Sequence, residues 1–368
     1  MTFSSLSCPS WLRQTTRLAA GALLLSACNP DDDTQPTPEV KTNSVFVVNE
    51  GSFGTPNGTV SLFDVESKRV TALDIFKSAN NGQDLLADVA QHMAIANGRG
   101  YIVANNNSKL VIVSLPDFKL AGTVTTPLAQ PRYVVVASAD KAYVSEWIQA
   151  PYPTPVTGRV AVIDLRTNTV TRTIAVGKAP EEMLLTGGKL FVANGADNTV
   201  TVINTATDAV ETTLTVGPNP ASFAQDRNGR IWVLGNGSTD YVNPANSVKG
   251  SLSDFAATAP YTVRKRDFTF TPGYGARLRR NAAGDQLYVR GGGALYRVGI
   301  TEATLPTTPF IRRSLYGLDV DPNDGTLYAG IALSYSGPGR IVRYQPNGTP
   351  LDSATVGILP NGFAFYTK

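Results

Sequence analysis

Short apolar strands that begin with an aromatic residue recur along most of the chain. After each one comes a turn rich in Gly and Asn, and then a strand in which apolar and polar residues alternate, as at 158–164 and 198–204. Alternation with period two and many β-branched residues predict β-strands throughout 44–368. The repeated aromatic positions, spaced at intervals of roughly 40 to 56 residues, are Phe46, Tyr101, Tyr143, Phe191, Trp232, Tyr288 and Tyr328. This period is typical of the blades of a propeller.

Each repeat ends in one further strand, often led by proline. These closing strands fall near 90–97, 131–138, 180–186, 220–226, 274–281, 315–321 and 360–367. The strand at 45–49 has no closing strand before it, and the last closing strand has no aromatic strand after it. The pattern therefore predicts an all-β, seven-bladed β-propeller of four-stranded blades, closed by the C-terminal strand. The alternative, an open β-solenoid, would need capping segments.

The N-terminus has the features of an export signal, which we assign to 1–27. Arg13 and Arg17 are not balanced by any acidic residue, and the apolar run at 18–27 is too short to span a bilayer. The next stretch, 28–43, is rich in Pro, Thr and Asp, which predicts a flexible tether ahead of the propeller at 44–368.

Cys28 directly follows Leu25, Ser26 and Ala27. This arrangement resembles a bacterial lipobox, which implies cleavage before Cys28 and lipidation of its thiol. The alternative is an ordinary signal peptide with an incidental cysteine. The acidic cluster at 31–33 resembles the surface-export signal of Bacteroidota lipoproteins. It implies an outer-membrane protein that faces the cell exterior and contacts the membrane only through its lipid anchor.

Composition restricts the chemistry. A formal charge of +3 rules out a strongly basic nucleic-acid binder. His92 is the only histidine, and there is no G-x-S-x-G turn, phosphate loop or His/Cys cluster with zinc-ligand spacing. We therefore expect no metal, no cofactor and no catalytic residue. The sequence favours a binding protein over an enzyme, with a propeller lactonase or lyase as the least favoured alternative.

Loops that leave the aromatic strands and loops that enter the innermost strands of a propeller meet on one face, around the central channel. Long loops are where binding residues usually lie. The candidate ligand-binding residues on this face are Asn49, Glu50, Phe53, Gln91, His92, Arg132, Tyr133, Glu146, Trp147, Tyr152, Glu181, Glu182, Tyr241, Tyr274, Arg277, Tyr316, Tyr335 and Asn361. Aromatic rings beside amides and charges suit a large, flat, amide-bearing or sugar-like small molecule. The alternative for Trp147 and several tyrosines is packing between blades.

Basic residues are concentrated in 262–315. Such a sector can attract an anionic ligand, lipid head groups or an acidic partner, and the alternative is a solvated rim. Arg277, Arg279 and Arg280 fall in a predicted innermost strand, where unpaired charge is unfavourable.

The repeat at 191–210 resembles the YVTN-type β-propeller repeat of bacterial surface proteins. More narrowly, 49–64, 131–136, 141–147 and 180–183 are similar to a Bacteroidota group of surface lipoproteins, some of which capture cobalamin for an outer-membrane transporter. The resemblance implies nutrient capture, with a corrinoid as ligand and a TonB-dependent transporter as partner. The alternative function is a structural or adhesive envelope protein that recognises another protein or a glycan.

Overall fold

The computed structural model describes residues 38–148 and 157–367. Within these ranges, 27 strands form seven antiparallel sheets, with one short helix and one 3-10 turn. Each sheet is one blade. Cys28 and Tyr152 lie outside the described residues, so the structure does not test the predictions made for them.

The strands follow the order of the sequence repeats. Blades one and two contain β1 (Ser44–Asn49), β2 (Thr59–Asp64), β3 (Arg69–Ala72), β4 (Ala90–Ala96), β5 (Arg99–Ala104), β6 (Lys109–Ser114) and β7 (Leu120–Val124). Blades three and four contain β8 (Pro131–Val136), β9 (Lys141–Ile148), β10 (Thr157–Asp164), β11 (Thr169–Val176), β12 (Pro180–Thr186), β13 (Lys189–Asn194), β14 (Thr199–Asn204) and β15 (Ala209–Thr215). Blades five and six contain β16 (Pro220–Gln225), β17 (Arg230–Gly235), β18 (Ser251–Ala256), β19 (Arg264–Asp267), β20 (Arg277–Arg280), β21 (Gln286–Gly291) and β22 (Ala294–Gly299). Blade seven contains β23 (Gly317–Val320), β24 (Leu327–Ile331), β25 (Pro338–Tyr344) and β26 (Pro350–Ile358), and β27 (Pro360–Tyr366) returns to blade one.

Two helical turns lie in the connections. Helix α1 (Ile75–Ala79) joins blades one and two, and the 3-10 turn (Pro244–Asn246) lies between β17 and β18. The side chain of Asp74 caps α1 by accepting a hydrogen bond from the Lys77 amide at 3.1 Å, while Ile75 and Phe76 are buried. The helix thereby covers the apolar edge between the first two blades.

The hydrophobic core lies between blades, which explains the repeated aromatic residues. The second strand of a blade is covered on both faces by its neighbours, and β1 is buried along its whole length. Phe191 of blade four, for example, packs against Phe255 of blade five with ring centroids 5.7 Å apart. Large rings are suited to this position because they fill the space between adjacent sheets.

The innermost strands contact one another in a closed ring, in the order β27, β4, β8, β12, β16, β20, β23 and back to β27. β27 pairs with β1, so that Phe46 lies opposite Ala364 and Val47 lies opposite Phe363. The predicted all-β, seven-bladed propeller closed by the C-terminal strand is confirmed, and the open solenoid is excluded.

Blade six departs from the regular blade. It has three paired strands, and its outermost position is reduced to a single bridge between Leu295 and Ile311. Pro306 and Pro309 precede this bridge. Proline has no amide hydrogen to donate to a strand ladder, which explains why the outer strand does not extend.

Candidate functional site

The innermost strands start at one end of the channel, and several of them start with an irregularity. The pairing with the second strand shifts between Ala90 and His92, between Pro131 and Val134, and between Pro180 and Met183. An extra residue in a strand redirects the neighbouring side chains. At this end the repeat places Gln91, Arg132 and Glu181 on the channel wall, each directly after the first residue of its strand.

These side chains line a central cavity of about 260 Å³. Eight of the residues expected from the sequence meet there, namely Glu50, Gln91, Arg132, Glu181, Tyr274, Arg277, Tyr316 and Asn361. A wider cavity of about 610 Å³ forms the mouth above it, and Phe53, Trp147 and Tyr335 contribute to its wall. The predicted clustering of loops from different blades on one face is therefore observed for these eleven residues.

On the side of blades three and four, Arg132 contacts several side chains of the cavity wall. Its Nη2 donates to both carboxylate oxygens of Glu181 at 3.1 Å, and its Nη1 donates to Oε1 of Gln91 at 2.7 Å. The guanidinium lies over the Trp147 ring, 4.4 Å from its centroid, and also donates to the Tyr274 hydroxyl at 3.0 Å. Although burial opposes its charge, the Glu181 carboxylate holds the pKa of Arg132 above its ordinary value.

On the opposite wall, Arg277 of blade six is hydrogen-bonded to a side chain of blade one. Its Nη2 donates to the Asn361 side-chain oxygen at 2.9 Å, and the Asn361 amide nitrogen donates to the Gln91 carbonyl at 2.9 Å. These bonds connect blades six, one and two, so the polar wall is continuous across the join between the two ends of the chain.

A second polar layer lies deeper in the channel, around a small cavity of about 40 Å³ whose wall includes His92 and Tyr133. Glu182 accepts hydrogen bonds here from the Ser222 hydroxyl at 2.7 Å and from Arg279 at 3.1 Å. Burial is the main reason why the pKa of His92 falls to about 4, so the ring is neutral at neutral pH. Glu182, His92 and Tyr133 thus belong to a layer below the central cavity.

Glu50 is half-buried and lies on the wall of the central cavity. It accepts a hydrogen bond from the Tyr316 hydroxyl. Burial raises the pKa of the Glu50 carboxyl, although the Tyr316 bond and nearby arginines oppose this effect. A carboxyl with a raised pKa in a cleft can serve in proton transfer or as a hydrogen-bond donor.

Three further candidate residues lie away from the central cavity, the mouth and the deeper layer. Asn49 is fully buried within blade one, where its amide nitrogen donates to the Ser61 hydroxyl at 2.9 Å. Glu146 is fully buried in blade three and accepts a hydrogen bond from Nε of Arg159 at 2.8 Å. Tyr241 is exposed beside a separate depression at blade five. The first two side chains connect strands within their own blades and are not available to a ligand in the channel.

Sequence reasoning missed Arg290 as an individual site residue. It lies on β21 and contributes to the wall of the central cavity. A signal was present in the sequence. The residue two positions after the repeated aromatic residue is uncharged in the other six repeats, namely Val48, Val103, Ser145, Ala193, Leu234 and Gly330. An arginine at this position is an exception to the uncharged residues that the other repeats place there.

Two features are absent from the described residues. No group of three or more His, Cys, Asp or Glu side chains within 38–148 and 157–367 is arranged to hold a metal ion. In the same ranges, no helix has the length and apolar character needed to cross a membrane.

Comparison with known proteins identifies a family and several distant structural neighbours. A family model described as a domain of unknown function (DUF5074) matches residues 43–353. A search of curated proteins finds no match. A quinonprotein alcohol dehydrogenase-like protein from Bacteroides thetaiotaomicron is 16% identical with a TM-score of 0.64, over 89% of this chain and 79% of that one. A periplasmic gluconolactonase from Pseudomonas aeruginosa is 14% identical with a TM-score of 0.63, over 89% and 99%. A putative 6-phosphogluconolactonase from Bacteroides fragilis is 13% identical with a TM-score of 0.63, over 88% and 98%.

These neighbours correct one prediction. The sequence-based exclusion of an enzyme is wrong, because the same fold occurs in proteins described as lactonases and as dehydrogenase-like. A scarcity of His and Cys is therefore not a sufficient reason to exclude catalysis on this scaffold. At 13–16% identity the likeness shows the fold alone. The YVTN type and the cobalamin-capturing resemblance stay predictions.

Proposed function

Because this chain belongs to the DUF5074 family, whose description assigns no activity, we propose its function from the channel mouth: capture of a large organic ligand, with a corrinoid as the first candidate. The observation that carries the proposal is the set of exposed rings there. Phe53, Tyr274 and Tyr335 are 83%, 78% and 80% exposed, although aromatic side chains are normally buried.

The chemistry of the mouth supports a flat ligand that bears amides. Exposed rings provide stacking surfaces, and the surrounding wall includes the amides of Asn105, Asn106 and Gln130. A corrinoid has a flat macrocycle with several amide side chains, and it would extend across the mouth above the charged central cavity. Isolated exposed apolar side chains need no explanation, but a cluster around a cavity indicates a binding surface.

Isothermal titration calorimetry with cyanocobalamin and cobinamide tests this proposal. We expect saturable binding to the purified protein at micromolar concentration or below. The double variant Phe53→Ala/Tyr335→Ala should bind about tenfold more weakly, since two stacking contacts contribute about 1–3 kcal/mol together.

Leu351→Ala is the matched control, because Leu351 is an exposed apolar residue on the outermost strand of blade seven. It should bind as the unmodified protein does. Absence of binding by either corrinoid, or equal weakening by the control, would contradict the proposal.

A second candidate function is hydrolysis of a sugar lactone, and Glu50 is the residue that favours it. Its carboxyl has a raised pKa, accepts a bond from Tyr316, and shares the cavity with Arg277, so it has the properties of a general acid or base. Hydrolysis of glucono-δ-lactone that is abolished by Glu50→Gln would support this candidate. A rate no higher than the uncatalysed reaction would contradict it.

The proposed location follows from the N-terminal residues. We propose that lipidation of Cys28 anchors the protein in the outer membrane, facing the exterior, and that it passes its ligand to a TonB-dependent transporter. Cys28→Ser should abolish acyl labelling and release a soluble form. Labelling that survives this substitution would contradict the anchor.

A further inference from the structure

Two arginines face each other inside blade six. Arg277 on β20 and Arg290 on β21 are direct partners in the antiparallel ladder, and both contribute to the wall of the central cavity. Like charges in directly opposite positions destabilise a sheet. The burial of Arg277 makes the repulsion stronger, because less water screens it.

Arg290 differs from the other channel arginines in its partners. Arg132 contacts Glu181, and Arg279 contacts Glu182. Arg290, by contrast, forms no ion pair with any residue of 38–148 or 157–367 within 4.0 Å.

The hydrogen-bonding capacity of Arg290 is also only partly used. Its Nη1 donates to the Leu315 carbonyl at 2.8 Å, whereas its buried Nε has no partner within the described part of the chain. Burial and the neighbouring Arg277 lower the pKa of Arg290 to about 9. A half-buried cation without a counter-charge is costly to a folded protein.

The surroundings of Arg290 favour a hydrogen-bond acceptor that belongs to a ligand. Gly275 has a φ of +73°, and a Cβ at that position would lie 3.3 Å from Nη2 of Arg290, so glycine keeps the approach open. Ser314 and Tyr316 bring hydroxyl groups to the same wall. Glu50, the nearby carboxyl, is engaged by Tyr316.

We propose that Arg277 and Arg290 form an oxyanion site in the central cavity, which takes a carboxylate or phosphate group of the captured ligand. Guanidinium groups bind both anions through charge-assisted hydrogen bonds. This inference deepens the proposed function and rests on it, because it assigns an acidic group to the ligand. The bound anion would supply the counter-charge that Arg290 lacks.

Titration with two probes, inorganic phosphate and acetate, tests the site. Chloride keeps the ionic strength constant, and calorimetry and the melting temperature are the readouts. The unmodified protein should bind at least one probe saturably and melt at a higher temperature in its presence. Arg290→Met should weaken this binding at least tenfold. Arg340→Met, a control at an exposed position on β25, should leave it unchanged.

Each outcome decides between the alternatives. Binding of phosphate alone indicates a phosphate-bearing ligand, and binding of acetate alone indicates a carboxylate. No binding of either probe, or equal binding by the unmodified protein and Arg290→Met, overturns the oxyanion site. If Arg290→Met does not fold, Arg290→Gln takes its place, and the titrations of the unmodified protein still decide whether an anion binds.

Cyanocobalamin titrated into the same variants separates this inference from the proposed function. Corrinoid binding without any anion effect overturns the oxyanion site and keeps corrinoid capture. Anion binding that Arg290→Met abolishes, with no corrinoid binding, keeps the oxyanion site and overturns the corrinoid as ligand.

Discussion

Arg132 and Glu181 join blades three and four at the channel wall, where one guanidinium nitrogen contacts both carboxylate oxygens at 3.1 Å. Both side chains are more than 90% buried. Breaking a buried pair leaves one charge without compensation, whereas replacing both partners with apolar residues is far less harmful.

Arg132→Met should therefore lower the free energy of unfolding by about 3–5 kcal/mol. The double variant Arg132→Met/Glu181→Leu should recover most of this loss. Urea unfolding of the two single variants and the double variant measures the coupling. Additive losses would show that the two groups do not act as a pair.

Substitution of Arg290 should have the opposite effect on the free energy of unfolding. Since Arg290 lies opposite Arg277 without a carboxylate, Arg290→Met should raise the free energy of unfolding by about 1 kcal/mol in a buffer that contains only chloride. Arg340→Met should leave it unchanged. Urea unfolding is again the measurement, and a less stable Arg290→Met variant would mean that this arginine is structurally required.

His92 should make stability depend on pH. Burial lowers its pKa from 6.5 to about 4, so between these values the unfolded chain binds more protons than the folded one. Stability should therefore fall as the pH decreases from 6.5 to 4, by up to about 3 kcal/mol from this residue. His92→Gln, which stays neutral, should show a smaller decrease in melting temperature across this range. Parallel curves for the two proteins would contradict the assignment.

Ring closure depends on β27. Phe363 and Phe365 pack against Tyr328 of blade seven, with ring centroids 5.7 and 5.2 Å apart, while β27 pairs with β1 of blade one. Deletion of 358–368 removes both contacts and exposes the edge of β1, so this variant should aggregate or melt far below the intact protein. Deletion of Lys368 alone is the control. Similar melting temperatures for all three forms would contradict a closed ring.

The fold could be predicted because the same packing position between blades recurs in every repeat. An aromatic residue fills the space between blades at each second strand, as at Phe191 and Tyr288. Position in the repeat also predicted the channel residues that directly follow the start of an innermost strand, such as Gln91 and Asn361.

Other parts of the site could not be predicted in the same way. Asn49 is the last residue of β1, and Glu146 lies two residues before the end of β9. Neighbouring residues of a strand point to opposite faces, so a shift of one residue decides between the channel and the core. The contact of Arg132 with Glu181 depends on the distance between two blades, which the repeat does not specify. Arg290 could have been recognised by comparing the same position across the seven repeats.

A crystal structure of the protein grown with cyanocobalamin would show directly whether the channel mouth binds a corrinoid. We expect the ligand to lie across the channel mouth, in van der Waals contact with the rings of Tyr274 and Tyr335. Ligand bound only to the outer strands or at the opposite end of the channel, or no ligand at saturating concentration, would contradict this expectation.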